Sequence, residues 1–283
     1  MSAEVFFLPL SSGQRFCIYH PAHCRYPKGL IVYVHPFAEE MNNARRVAAL
    51  QSRAFASAGY AVLQMDLLGC GDSSGDFGDA RWQDWVIDVV HACAWLRARA
   101  CALGVDGENV PLWLWGVRAG SLLCCDAAGH IGGSCHFLFW QPYVSGKLAL
   151  QQFLRLRLAA DMLDARTTHG LHGLRNALDK GDAVEVAGYT LSAELARGME
   201  KVMLTPPVGD QHVRTLRWLD VSSVEPTRSN PLSDQALAAW QQAHHQVERL
   251  TVPGPAFWQS GEVGDVPALR AATSALFATV GST

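Results

Sequence analysis

The chain has 283 residues, 49% hydrophobic and only 17% charged, against roughly a quarter charged in an ordinary soluble domain. That balance excludes disorder and demands a large buried core. With 23 Lys and Arg against 26 Asp and Glu the formal net charge is −3, which supplies no drive toward polyphosphate and excludes nucleic acid as the expected partner.

Val5 to Leu10 and Gln14 to Tyr19 read as a leading hairpin across Ser11-Ser12-Gly13. Leu30 to Val34 has the unbroken apolar character of a strand buried on both faces. A helix from about Ala44 to Ala58 ends at Gly59, and Tyr60 to Met65 is the next strand. Trp82 to Ala100 carries Trp85, Val89, Ala92 and Leu96 at helical spacing. Val110 to Trp115 predicts a buried strand that runs into Gly-Val-Arg-Ala-Gly and a small-residue helix from Ser121, and Cys135 to Trp140 predicts the strand after it. On the Val110–Trp115 strand, Trp113 and Trp115 alternate with Leu112 and Leu114, which reads as core packing.

Between Tyr143 and about Tyr189 the strand–helix rhythm stops, and the segment reads as a cap inserted after the sixth strand. Residues 144–189 are assigned to it, and residues 1–143 and 190–283 to the core. The rhythm resumes with a helix over Ser192 to Met203, a strand at Thr215 to Val221, a helix over Ser233 to His245, a strand at Glu248 to Val252 and a last helix near Val266 to Thr279. Alternation of this kind predicts a mostly parallel sheet flanked by helices.

The longest stretch without Asp, Glu, Lys or Arg, residues 127–146, is broken by glycines and Pro142, so nothing reaches the ~18 consecutive apolar residues of a membrane span. The opening Met-Ser-Ala-Glu has no basic head or apolar signal core, so a cytoplasmic protein is expected. Eight cysteines are too dilute for a disulfide scaffold and are expected as small buried hydrophobes. Cys17, His20, His23 and Cys24 lie close in sequence, but on a strand Cys17 and His20 face opposite ways. No metal and no cofactor is therefore expected.

Three loops carry the chemistry. His35-Pro36-Phe37 follows the third strand. Asp66-Leu-Leu-Gly69-Cys70-Gly71-Asp-Ser73-Ser-Gly75 follows the fourth, and Gly116-Val117-Arg118-Ala119-Gly120 follows the fifth. In this order they resemble the α/β-hydrolase fold over essentially the whole chain: a His-Gly-type oxyanion turn, the Asp-x-x-Gly-x-Gly-x-Ser-x-Gly loop, and the nucleophile elbow Gly-x-Ser-x-Gly. Here the elbow residue is Arg118. A guanidinium stays protonated at neutral pH and has no free lone pair with which to attack an acyl group. The acid should follow the strand ending at Val221, where the chain offers Ser222, Ser223 and Glu225. The histidine should follow Val252, where it offers Pro253-Gly-Pro-Ala-Phe257-Trp258-Gln259 instead, while His244 and His245 precede that strand. A Ser-His-Asp triad is not supported.

An arginine at a helix N-terminus faces the positive end of the helix dipole, at a cost of roughly 0.5–1 kcal/mol. Something anionic must compensate. Glu39 and Glu40, in the loop after Phe37, are one candidate; an external anion held by Arg118 and the N–H groups of Phe37 and Ala119 is the other. Unconventional catalysis would draw on Glu40, His35, Cys70 and the cap histidines His169 and His172. Trp140 and Trp258 fall at strand carboxyl ends, where ligands bind in open α/β sheets, and are expected to line a crevice or fill the space of the missing histidine. The apolar stretch from Lys147 to Leu163 reads as a lid over an apolar cleft.

With Trp115-Gly-Val-Arg118-Ala-Gly120 and Pro255-Ala-Phe257-Trp258-Gln259 together, the chain resembles the exosortase A system-associated hydrolase 2 family, a branch of the α/β-hydrolases. The resemblance implies a bacterial cytoplasmic protein linked to exopolysaccharide or exosortase systems, with a hydrolase label that rests on fold. Two functions follow as expectations. One is a pseudohydrolase that binds a small anionic or acylated molecule or pairs with a related hydrolase subunit. The other is an unconventional ester or thioester hydrolase or acyl-transfer enzyme.

Overall fold

The two runs with no polar interruption, Leu-Ile-Val-Tyr-Val and Leu-Trp-Leu-Trp, become the middle of one sheet. A computed structural model of the chain describes residues 2–163, 170–207, 213–223, 230–259 and 264–278, with the backbone alone at 160–163. The strands are β1 (Glu4–Leu10), β2 (Gly13–His20), β3 (Gly29–Val34), β4 (Tyr60–Met65), β5 (Leu112–Val117) and β6 (His136–Trp140). A separate hairpin follows, β7 (Val184–Val186) and β8 (Tyr189–Leu191), and β9 (Thr215–Ser222) and β10 (Gln246–Pro253) return to the main sheet. Its order is β1-β2-β4-β3-β5-β6-β9-β10. The β1/β2 and β2/β4 pairs are antiparallel and the pairs from β4 to β10 parallel. This is the mostly parallel, helix-flanked sheet of the α/β-hydrolase fold.

The helices are α1 (Glu39–Ser57), α2 (Trp82–Ala102), α3 (Gly120–Ala128), α4 (Gly146–Leu163), α5 (Gly170–Lys180), α6 (Ala193–Glu200), α7 (Pro231–Gln242) and α8 (Pro267–Ala278). Strand alternation sorts the core into two layers. Ile31, Tyr33, Trp113, Trp115, Leu138 and Trp140 pack with Phe55 of α1 and Phe277 of α8. Leu30, Val32, Leu112, Leu114, Phe137 and Phe139 face the other side, with residues of α2, α3 and α7. None of the described helices is long and apolar enough to cross a membrane.

The observed boundaries differ from expectation where local chemistry was underweighted. The fifth strand starts at Leu112, two residues later than expected, because Pro111 has no N–H to give a neighbouring strand. The first helix starts at Glu39 rather than Ala44, with Glu39 and Glu40 in its first turn, where carboxylates favour the positive end of the dipole. The inserted segment holds α4, α5 and an unanticipated hairpin whose turn, Ala187-Gly188, has φ of 51° and 83° at its two centres, the conformation that two-residue hairpins prefer. The boundary drawn after residue 189 falls inside β8.

Between β5 and α3 the chain reverses within a few residues, and that turn positions the site. Arg118 sits there at φ 55°, a left-handed conformation that costs an L residue roughly 1 kcal/mol or more. The flanking glycines are demanded by space. A Cβ on Gly116 would lie 2.5 Å from Ser121 Cα, and one on Gly120 2.4 Å from the Val34 carbonyl oxygen. Ser121 Oγ closes the turn by donating to the Gly116 carbonyl at 3.0 Å. Gly116→Ala and Gly120→Ala are each expected to lower urea-unfolding free energy by about 1–3 kcal/mol, the usual cost of overpacking. Gly129→Ala, whose new Cβ would meet nothing nearer than 3.6 Å, is expected to be neutral; equal effects at all three positions would refute this account of the turn.

Candidate functional site

The Arg118 side chain turns to Glu40. Its Nε donates to the two Glu40 carboxylate oxygens at 3.2 and 3.3 Å, and Nη2 donates to Oε1 at 3.1 Å. Nη2 also donates to the Tyr143 hydroxyl, and Nη1 to the Gln141 carbonyl at 3.4 Å. The guanidinium carbon lies 4.0 Å from the Tyr143 ring centroid and 4.6 Å from that of Trp258. The Arg118 side chain is 7% exposed and that of Glu40 20%. Of the two compensations open to Arg118, the molecule uses the internal one, with each ring face adding roughly 0.5–2 kcal/mol. Burial pushes the Glu40 carboxyl above its ordinary range, and the Arg118 charge pulls it back.

Hydrogen bonds to the backbone place the loops around Arg118. The Arg118 N–H donates to the Trp140 carbonyl at 3.0 Å. The side-chain oxygen of Gln141 accepts from the Val221 N–H at 2.6 Å, and its own N–H donates to the Leu219 carbonyl at 2.8 Å. The loop after β6 is thus pinned to β9, which sets Tyr143 against the guanidinium. From the far side, Asn43 Nδ2 donates to the Trp258 carbonyl at 3.0 Å and ties the loop after β10 to α1.

Beside this cluster a cavity of about 260 Å³ runs under α4. Phe37, Tyr143, Phe153 and Trp258 supply aromatic walls, with Ala149, Leu156 and Met199 adding apolar surface. Glu39, Glu40, Asn43, Gln152 and Gln259 are its polar groups. Glu39 stands at the exposed mouth and accepts from the Tyr189 hydroxyl at 3.0 Å and from Asn42 Nδ2 at 3.1 Å.

Several candidates sit elsewhere. Trp140 does not line the cavity: it is fully buried, and its Nε1 donates to Thr273 Oγ1 at 3.0 Å, because its place on β6 points it at α8. No anion pocket forms from Arg118 with Phe37 and Ala119. The guanidinium is taken by Glu40, and the void lined by Phe37, Ala119 and His35 is about 10 Å³, at the threshold for one water. Cys70 is buried and its thiol is pushed far up, first by burial and then by the Asp66 and Asp88 charges, which disfavours the thiolate. His172 is exposed on α5; His169 and Glu225 lie outside the described residues. His245 accepts from the Arg214 N–H at the amino end of β9, away from the site. Phe257 is buried against Trp140 and Trp258. Sequence reasoning missed Tyr143, Gln141, Asn43 and Phe153. The signal was the tyrosine three residues past the end of β6, the strand beside the one that carries the elbow arginine.

His35 binds two loops together. It is 6% exposed, its Nδ1 donates to the Pro36 carbonyl at 2.8 Å, and its Nε2 accepts from the Leu67 N–H at 3.3 Å. These roles require the neutral ring. Burial lowers its pKa, the Asp66 charge raises it less and Arg45 lowers it further. A folded pKa below the unfolded value means that the unfolded chain takes up the proton first as pH falls. The stabilisation is therefore complete above about pH 6.5 and is lost below it. Glu40 and Asp88, whose carboxyls are raised by burial, contribute with the opposite sign in the acid range. Wild type is thus best compared with His35→Gln: its lead in urea-unfolding free energy should shrink by up to about 1.4 kcal/mol per pH unit between pH 6.5 and 5. Parallel curves would contradict the neutral assignment.

Comparisons with known proteins agree on architecture. Residues 15–152 match the profile of the X-Pro dipeptidyl-peptidase (S15 family). No curated protein matches. A monoglyceride lipase from Saccharomyces cerevisiae is similar in structure at TM-score 0.60 and 13% identity, over 100% of this chain and 97% of that one. A thermostable carboxyl esterase from Bacillus coagulans is similar at TM-score 0.60 and 13% identity, over 99% and 98%. An α/β serine hydrolase without lid from Xanthomonas campestris is similar at TM-score 0.55 and 15% identity, over 99% and 96%. The chain has the α/β-hydrolase fold.

Proposed function

We propose that this chain is a pseudohydrolase: it keeps the hydrolase scaffold, lacks its triad, and binds a small molecule through an apolar or acyl portion in the cavity under α4. The observation that carries the reading is that the elbow side chain is consumed by Glu40, Tyr143 and Trp258. A nucleophile must be free to attack and must have a base within hydrogen-bond reach. Here the elbow presents a paired cation, and the residue stacked on it is an indole, which cannot accept a proton.

The apolar walls support an acyl or other apolar body as the bound portion. The resemblance to the exosortase-associated family supports a setting in bacterial exopolysaccharide or exosortase systems and a cytoplasmic location. The chain would act there alone or alongside a related, catalytically intact hydrolase. The second reading, unconventional hydrolysis, is favoured by one observation: the Glu40 carboxyl borders the cavity with its pKa raised by burial. Both of its oxygens accept from Arg118, so as a base or nucleophile it would first have to leave that pair.

Turnover of p-nitrophenyl acetate and butyrate decides between them. Neither wild type nor Arg118→Ser is expected to exceed the buffer rate, because serine at 118 would still face Trp258, and ethyl butyrate should raise the wild-type Tm without being consumed. Wild-type turnover abolished by Arg118→Ala or Glu40→Gln would establish the enzyme reading instead.

A further inference from the structure

We infer that the molecule bound under α4 carries a cationic head group, a primary amine or ammonium, on its apolar body. The inference rests on the binding reading above and adds the chemistry of the head. Among the described residues, those lining the cavity include two carboxylates, Glu39 and Glu40, and no lysine, arginine or histidine. Glu40 is matched by Arg118, which is not among the lining residues. Glu39 receives hydrogen bonds from two neutral donors, the Tyr189 hydroxyl and the Asn42 amide, which hold the carboxylate in place without cancelling its charge. The N-terminus of α1 offsets roughly half a unit. The balance at the cavity remains negative.

The walls suit the same ligand. Phe37, Tyr143, Phe153 and Trp258 present aromatic surface to the cavity, and a cation within about 6 Å of an aromatic face is attracted by the ring quadrupole. Tyr143 and Trp258 already hold one cation, Arg118, at 4.0 and 4.6 Å, so a ligand cation is drawn to the Glu39 side of the cavity and not to those two rings. An anionic head would meet the opposite conditions: like charge at Glu39 and the negative faces of the rings. Glu39 is exposed at the mouth with Leu156 and Gln259, so the head would sit at the entrance and the apolar body between α4 and Phe37.

The test is a calorimetric titration of the whole chain with hexylamine, hexan-1-ol and hexanoate, six-carbon compounds with a cationic, a neutral and an anionic head. Hexylammonium is expected to bind about tenfold tighter than the alcohol and hexanoate more weakly than either. Glu39→Gln, an isosteric change at an exposed position, should erase the preference for the amine and leave the alcohol's affinity in place. If hexanoate equals the amine, or Glu39→Gln leaves the preference intact, the head-group inference is overturned while apolar binding stands. If none of the three binds, the binding reading itself fails.

Discussion

Arg118 is a guanidinium held 7% exposed at the start of α3, and the carboxyl edge of the sheet is arranged around its compensation. Burial removes most of its hydration, and the helix dipole adds an unfavourable contribution. A carboxylate alone would leave the remaining N–H groups unmet. The molecule surrounds the cation instead: Glu40 along one edge, the Tyr143 hydroxyl and Gln141 carbonyl at the nitrogens, and the rings of Tyr143 and Trp258 within 5 Å of the guanidinium carbon. Glu40 can reach because α1 begins at Glu39, five residues before the start at Ala44 expected from sequence. Trp258 can reach because its loop is tied to Asn43 of that same helix.

The cluster joins α1, the elbow, the loop after β6 and the loop after β10; the elbow and the loop after β10 are where a serine hydrolase of this fold is expected to carry its nucleophile and histidine. The steric frame is kept down to the two glycines and the left-handed backbone at the elbow. What differs is the electrostatics. The elbow position carries a guanidinium paired with Glu40 and set between the rings of Tyr143 and Trp258. Its effect is to hold Glu40, Tyr143 and Trp258, which line the cavity under α4.

Much of the architecture was legible because it depends on local apolar pattern. Tyr60–Met65 and the alternation of Trp113 and Trp115 with Leu112 and Leu114 follow from burial on both faces of a strand. The elbow was legible because its glycines are imposed by close approach. The partner of Arg118 could be narrowed to Glu39 or Glu40, but choosing between them required the helix start, which their own preference for the first turn fixes. The rest depends on contacts distant in sequence. Tyr143, Phe153 and Trp258 carry no mark of sharing a wall, and Trp140, at a strand's carboxyl end like a ligand-binding residue, is turned to α8 by the side of the strand it occupies. The β7–β8 hairpin was missed although its alternating Val-Glu-Val and Tyr-Thr-Leu around Ala-Gly have the right form, because three-residue strands carry little weight beside a helical surrounding.

The central claim is that position 118 holds a structural cation in a slot built for it. The most direct measurement is rescue by free guanidinium. Arg118→Ala removes the group and leaves Glu40, Tyr143 and Trp258 around the vacated slot, and the Tm of this variant is followed against low-millimolar guanidinium, far below denaturing concentrations. The account predicts a variant less stable than wild type whose Tm rises saturably with guanidinium. The rise should be absent in wild type and in the Arg118→Ala, Glu40→Gln double variant. A variant as stable as wild type, or a Tm that responds to guanidinium identically in all three proteins, would contradict it.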